Sequence, residues 1–257
     1  MKKPLAAAPA LLLVIVALWE IAATVHAAHA VPDDPAWERA TQVVRSQFRP
    51  GDLIVFAPAW ADPIGRLHLG DLIPVETAAR MDDAKYATIW ELTIRGARAP
   101  ELAGLRPDLV VDGDVEIRRF HQEPVTVISD VRDQLAELKS DGVKPTLELA
   151  EVGFAPHRCL QLEPPDHGVV TMTVPMELGS TLVGYVGLAD VFKRRNIRTP
   201  GSLEIRVGAA SRIVAFGVDD GWVRFELPTT PGPGEVQFLA SAISRERLIC
   251  FAAEARR

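Results

Sequence analysis

The densest group of side chains able to do chemistry follows the apolar run Leu53–Phe56. Trp60, Asp62, Arg66, His68 and Asp71 come in quick succession after it. Carboxylates and an imidazole are the residue types that general acid–base catalysis employs, so Asp62, His68 and Asp71 are the candidate catalytic groups. A divalent cation accepts the same ligand types, but the spacing matches no metal motif, and no metal site is assigned. Arg66 offers a planar fork for a carboxylate or phosphate, and Trp60 a face on which a sugar or base stacks. In open α/β sheets ligands sit beyond the carboxyl ends of strands, which is where this group falls. The competing reading is a long irregular surface loop held down by Trp60 and its own ion pairs.

A second set lies in the C-terminal half. Tyr185, Asp190, Trp222 and Arg224 combine aromatic rings with planar polar groups, the mixture that sugar recognition uses. Trp222 and Phe225 equally suit the core of an alternating strand. Other signatures are missing: there is no GxSxG, HExxH or CxxC, and no GxGxxG follows a strand. No cofactor is therefore expected. Asp108, Asp112 and Asp114 read as a polar turn around Gly113. His121, His157 and His167 stand apart from one another, as isolated histidines of a surface or a hydrogen-bonded interior do.

Elements that would position these residues follow from periodicity and punctuation. Asp34-Pro35 opens a helix with Asp34 as its cap, and Trp37, Ala40, Val43, Val44 and Phe48 recur at helical spacing. Arg49-Pro50-Gly51-Asp52 turns the chain into the buried strand Leu53–Phe56. A short helix over Val75–Met81, strands over Tyr86–Ile94, Val115–Phe120 and Val125–Ser129, and a helix over Val131–Ser140 complete an α/β unit spanning 31–147. Beyond Pro145 the texture changes to short apolar or alternating runs punctuated by Gly, Pro and Asp, which predicts a β-sandwich over 148–257. No fixed-period repeat is present.

The N-terminus reads as an export element. Lys2 and Lys3 precede the largely apolar stretch Leu5–Val25, interrupted by Glu20, and Ala28-His29-Ala30 has the small-x-small form of a signal-peptidase site. Residues 1–30 are thus either a cleaved signal peptide or a single membrane anchor. Export permits oxidation of the only two cysteines, Cys159 and Cys250, which sit in apolar strand-like runs near the two ends of the predicted sandwich. A disulfide joining early and late strands is the expectation, with two separately buried thiols as its rival. The chain has 28 Lys+Arg against 34 Asp+Glu, a net charge of −6, and no basic stripe, so nucleic acid is excluded as a partner. The single basic cluster, Lys193-Arg194-Arg195 with Arg198, reads as a solvated loop, with contact to an anionic glycan or lipid headgroup as the sharper alternative.

Two resemblances add to this. The segment Pro145–Arg257, with Gly184–Asp190, Gly221-Trp222 and Cys250-Phe251, is similar in texture to the galactose-binding-like jelly rolls found as accessory modules in extracellular proteins. The segment Phe48–Pro100, with Arg49–Phe56, more faintly resembles the soluble α/β part of polytopic envelope glycosyltransferases, though it lacks their membrane spans. Together they imply a non-catalytic glycan-binding or envelope polysaccharide assembly factor, at the periplasmic or extracytoplasmic face of a membrane. Its partners would be a glycan or lipid-linked sugar and an envelope protein. The alternatives are an enzyme on a glycan or phosphorylated sugar, which requires Asp62, His68 and Asp71 to converge, and a structural or protein-binding subunit.

Overall fold

The computed structural model describes residues 7–29, 31–189, 199–243 and 247–257. Asp190 and the basic cluster at 193–198 lie outside the described residues. Contacts divide the chain into two units: Met1–Ile73 with Ala87–Gln122, and Pro74–Tyr86 with Glu123–Arg257. This differs from a division at 147, because strand pairing joins the Val127–Asp130 region to the last strand of the chain.

The N-terminal apolar stretch forms a helix, α1 (Ala7–His29), and its large apolar side chains from Leu11 to Val25 are exposed. Among the described residues no helix is long and apolar enough to cross a membrane. The second helix, α2 (Asp34–Gln47), buries Ala36, Trp37, Ala40, Thr41 and Val44 along one face. Its cap is Asp33, whose carboxylate accepts from the Ala36 N–H at 2.9 Å, one residue earlier than expected. Pro35 then occupies the first turn, where a missing N–H costs nothing.

Strand β1 (Leu53–Ala57) is buried throughout and pairs in parallel with β2 (Thr88–Thr93). Continuous apolarity is what a strand covered on both faces requires. Strands β3 (Pro107–Val111) and β4 (Glu116–His121) complete a sheet of order β1-β2-β4-β3, with β4 antiparallel to β2. Asp108 therefore lies on a strand, not in the predicted polar turn. The segment after β1 is also not the irregular loop expected: it forms α3 (Asp62–Leu69) between two single 3₁₀ turns. Pro63 in the first turn and the Asp62–Arg66 pair at i,i+4 support a helix there. Gly65 lets this helix press on β1, since a Cβ at that position would fall 2.0 Å from the Phe56 ring.

In the other unit α4 is a single turn (Val75–Ala78). Two antiparallel sheets follow. The strands are β5 (Val127–Asp130), β6 (Lys139–Ser140), β7 (Thr146–Val152), β8 (Ala155–Leu162), β9 (Val169–Leu178) and β10 (Thr181–Leu188). After them come β11 (Gly201–Val207), β12 (Ala210–Phe216), β13 (Val223–Pro228), β14 (Gly232–Ala242) and β15 (Ile249–Arg256). One sheet runs β13-β10-β15-β8-β7, with β5 beside the end of β15; the other runs β12-β11-β14-β9-β6. From β9 onward the chain passes repeatedly from one sheet to the other, as a jelly roll does. The inward residues of both sheets, among them Leu160, Met172, Val186, Leu203, Phe216, Phe238 and Phe251, form one apolar core. The helix predicted over Val131–Ser140 is absent. That segment is a series of turns closed by bonds such as Gln134 N–H to Val131 O and Glu137 N–H to Gln134 O. Val131 and Leu138 are nevertheless buried in the sandwich core, with Leu135 packed against it. The apolar spacing there reports the buried side and not a helix.

Candidate functional site

Of the first set of sequence candidates, Asp62 and Arg66 meet each other, and the others take partners outside the set. Asp62 pairs with Arg66 at 2.6 Å. Asp71 is held by both terminal nitrogens of Arg45, at 2.6 and 2.7 Å, and the same arginine donates to the His68 carbonyl. That arginine holds the Asp71 carboxyl below the usual carboxylate range. The His68 ring stacks on Trp37, with centroids 6.0 Å apart and planes 7° from parallel. The geometry thus links Asp62, His68 and Asp71 to three different partners. Among the described residues no group of three His, Cys, Asp or Glu side chains is placed to hold a metal. Trp60 is 55% exposed, with the Arg95 guanidinium 5.7 Å from its ring centre.

The second set is brought together by strand pairing. Tyr185 of β10 lies directly opposite Arg224 of β13, and Val183 opposite Glu226. Residues two apart on a strand share a face, so Arg224 and Glu226 lie side by side, paired at 2.7 Å and both half exposed. Trp222, just before β13, stacks on Tyr185 at 5.9 Å and 10° and on His157 at 4.4 Å and 14°. Three flat rings therefore stand in a row. Its middle ring and one end are fixed by backbone carbonyls: the Trp222 indole N–H donates to Met81 O at 3.2 Å, and His157 Nδ1 lies 3.2 Å from Arg80 O. A carbonyl only accepts, so the neutral imidazole carries its proton on Nδ1. Burial depresses the His157 pKa to about 4.

Tyr185 faces a different environment at its hydroxyl. Burial, reinforced by the neighbouring Asp82 carboxylate, pushes its pKa up to about 12. Asp82 in turn grips Arg256 through two bonds of 2.9 Å. Arg256 pairs with Glu254 at 2.6 Å, and Glu254 accepts from Arg132 at 3.1 Å, which also pairs with Asp130. This alternating row of charges lies almost wholly buried, with Glu254 and Arg256 at 2% and 5% exposure. Beside it opens a cavity of about 330 Å³ lined by Asp82, Asp83, Thr181, Tyr185, Arg224 and Glu226, among others. Its walls combine an aromatic ring with carboxylates, a guanidinium and a hydroxyl, the mixture a polyol ligand needs.

Glu226, Asp82 and Arg256 were missed by sequence reasoning. For Glu226 the signal was available, as it stands two residues from Arg224 in an alternating strand. Asp82 carries no such signal, because it reaches the site from a segment far away in sequence. The two cysteines form a disulfide, Cys159–Cys250, with Cα atoms 5.6 Å apart, so the reading of two free thiols is set aside. It joins β8 to β15, early and late strands of the sandwich, next to Ala150, Val152, Ala189 and Trp222.

By strand order and connectivity the chain is an α/β unit combined with an antiparallel β-sandwich of jelly-roll type. No family model matches the sequence, and no curated protein does either. Among solved structures it is similar to a carbohydrate-binding module from Cellvibrio mixtus lichenase 5A in complex with cellotriose, at 14% identity and a TM-score of 0.32, over 50% of this chain and 96% of that one. It is similar too to the CBM22-1 xylan-binding domain of Paenibacillus barcinonensis Xyn10C, at 12% identity and a TM-score of 0.31, over 52% and 96%. A third is CBM51 from Clostridium perfringens GH95 in complex with methyl-galactose, at 10% identity and a TM-score of 0.29, over 60% and 97%.

Proposed function

We propose that this is an exported glycan-binding protein that works in the cell envelope, and that its β-sandwich holds the sugar at the Tyr185–Arg224 cavity. The observation that carries the reading is the pairing of β10 with β13. It sets an aromatic ring, a guanidinium and carboxylates around one opening of a size suited to one or two sugar rings. Tyr185 is held in place by Trp222, so little side-chain freedom is lost on binding. The buried disulfide fits an oxidising compartment, and the apolar N-terminal stretch with its small-residue exit fits export. Whether residues 1–30 act as a cleaved signal or an anchor is decided by the intact mass of the mature protein.

The experiment is a glycan panel probed with wild type, Arg224→Ala and Tyr185→Ala. Arg224 is half exposed and pairs with Glu226, so its removal leaves the fold intact and loses a charge-assisted bond worth about 1.5–3 kcal/mol. The expected result is a tenfold or greater loss of affinity for any glycan the wild type binds. Equal binding by wild type and both variants places the ligand elsewhere and ends the assignment of this cavity.

A further inference from the structure

A second cavity, of about 530 Å³, lies within the α/β unit and has no part in the site above. Its walls come from one end of the sheet and the end of α2: Asp52 before β1, Thr88 and Trp90 on β2, and Arg119 and His121 on β4, closed by Arg49. Register explains the gathering. Thr88 faces His121 and Trp90 faces Arg119 across the antiparallel pair, so four functional side chains arrive together.

The arrangement is held rigid before any ligand arrives. Trp90 is fully buried, and its indole N–H donates to Asp52 Oδ2 at 3.0 Å. The same oxygen accepts the Arg49 backbone N–H at 3.0 Å. The Arg119 guanidinium lies 5.3 Å from the centre of the Trp90 ring. Its Nε and Nη2 are tied to Asp108, and Nη1 to Gln47 Oε1 at 3.0 Å. Five N–H groups on a guanidinium less these three leaves two to donate. Asp52 Oδ1 makes no hydrogen bond, and the Arg49 side chain no ion pair, among the described residues. His121 presents its ring between Thr88 Oγ1 at 3.3 Å and Asp108 at 3.4 Å.

We propose that this cavity binds a small carboxylated sugar, its carboxylate on Arg119 and Arg49 and its hydroxyls on Asp52 and Thr88. The lining sets Arg49 and Arg119 against Asp52, and Asp108 behind Arg119 draws off part of that guanidinium's charge, so the walls offer at most one net positive charge. The carbonyl end of α2, which supplies Ser46 and Gln47 to the lining, opposes further negative charge. A monoanion with neighbouring hydroxyls matches that balance, and a phosphate dianion exceeds it. The volume falls in the usual range of small-ligand sites.

Titration calorimetry on the whole chain tests this with glucuronate, glucose 1-phosphate and glucose as probes. Glucuronate is expected to bind at least tenfold more tightly than glucose. Arg49→Ala removes an exposed side chain with no structural bond, and Arg119→Lys keeps the charge but loses the fork. Each is expected to lower glucuronate affinity about tenfold, whereas Tyr185→Ala leaves it unchanged, which separates this site from the sandwich cavity. Glucose binding as tightly as glucuronate overturns the proposal, as does tighter binding of glucose 1-phosphate. Undiminished glucuronate binding by both arginine variants overturns it as well.

Discussion

Reducing the Cys159–Cys250 bond acts on the unfolded chain more than on the folded one. In the native sandwich β8 and β15 are already hydrogen-bonded neighbours, with Leu160 opposite Phe251 and Gln161 opposite Cys250. The strands stay in register without the sulfur bridge. What is lost is the constraint on a loop closed across a sequence separation of 91. With the chain-entropy relation, that length corresponds to about 15 cal/mol/K, or about 4.6 kcal/mol at 25 °C. For a chain of this size one kcal/mol moves the melting temperature by about 2–4 °C, so a fall of about 9–18 °C follows. Wild type with and without reductant gives one measurement, and the Cys159→Ala/Cys250→Ala double variant gives a second that needs no reductant. Hydrogen exchange read on peptides from β8, β9 and β14 confines the result to the sandwich. The urea dependence should also steepen, because the unlinked unfolded chain exposes more surface. A melting shift below about 3 °C in both measurements refutes the reasoning, since it leaves less than about 1–2 kcal/mol for the closed loop.

Two further outcomes follow from buried groups of the sandwich unit. Arg256→Met removes the cation shared by Asp82 and Glu254, and leaving such charges uncompensated should cost about 3–5 kcal/mol in chemical denaturation; a loss under 1 kcal/mol contradicts the buried-row account. His157, with its folded pKa near 4 against an unfolded value near 6.5, binds its proton more readily when unfolded. Sandwich stability should therefore fall as pH drops from about 6.5 toward 4 and show no further loss from this group below that. An NMR titration that protonates His157 near pH 6.5 in the folded state rules this out.

Much of the local structure was legible in the sequence. Apolar runs, their turns and the two cysteines located β1, the strand-rich half and the disulfide, because burial imposes a period that composition records. Where a period had two sources the reading failed. Val131, Leu135 and Leu138 are apolar at helical spacing, yet they report only the side facing the sandwich core, and the backbone between them turns. The segment after β1 was misread for the opposite reason: α3 is only eight residues long, and it is stabilised by Gly65 against Phe56, a contact no window of sequence displays.

The sites divide in the same way. Residue type alone marked Tyr185, Trp222 and Arg224 as a sugar-binding mixture, and it marked Asp62, His68 and Asp71 as an acid–base one. Only the tertiary structure decided which residues meet. Register across β10 and β13 set Tyr185 against Arg224, whereas Arg66, Arg45 and Trp37 took Asp62, Asp71 and His68 as separate partners. Trp90, Arg119, His121 and Asp52 drew no notice as a group in the sequence, because strand pairing and a buried hydrogen bond bring them together. A side chain's chemistry is a property of its residue, but its partners are set by pairing over distances that local sequence does not encode.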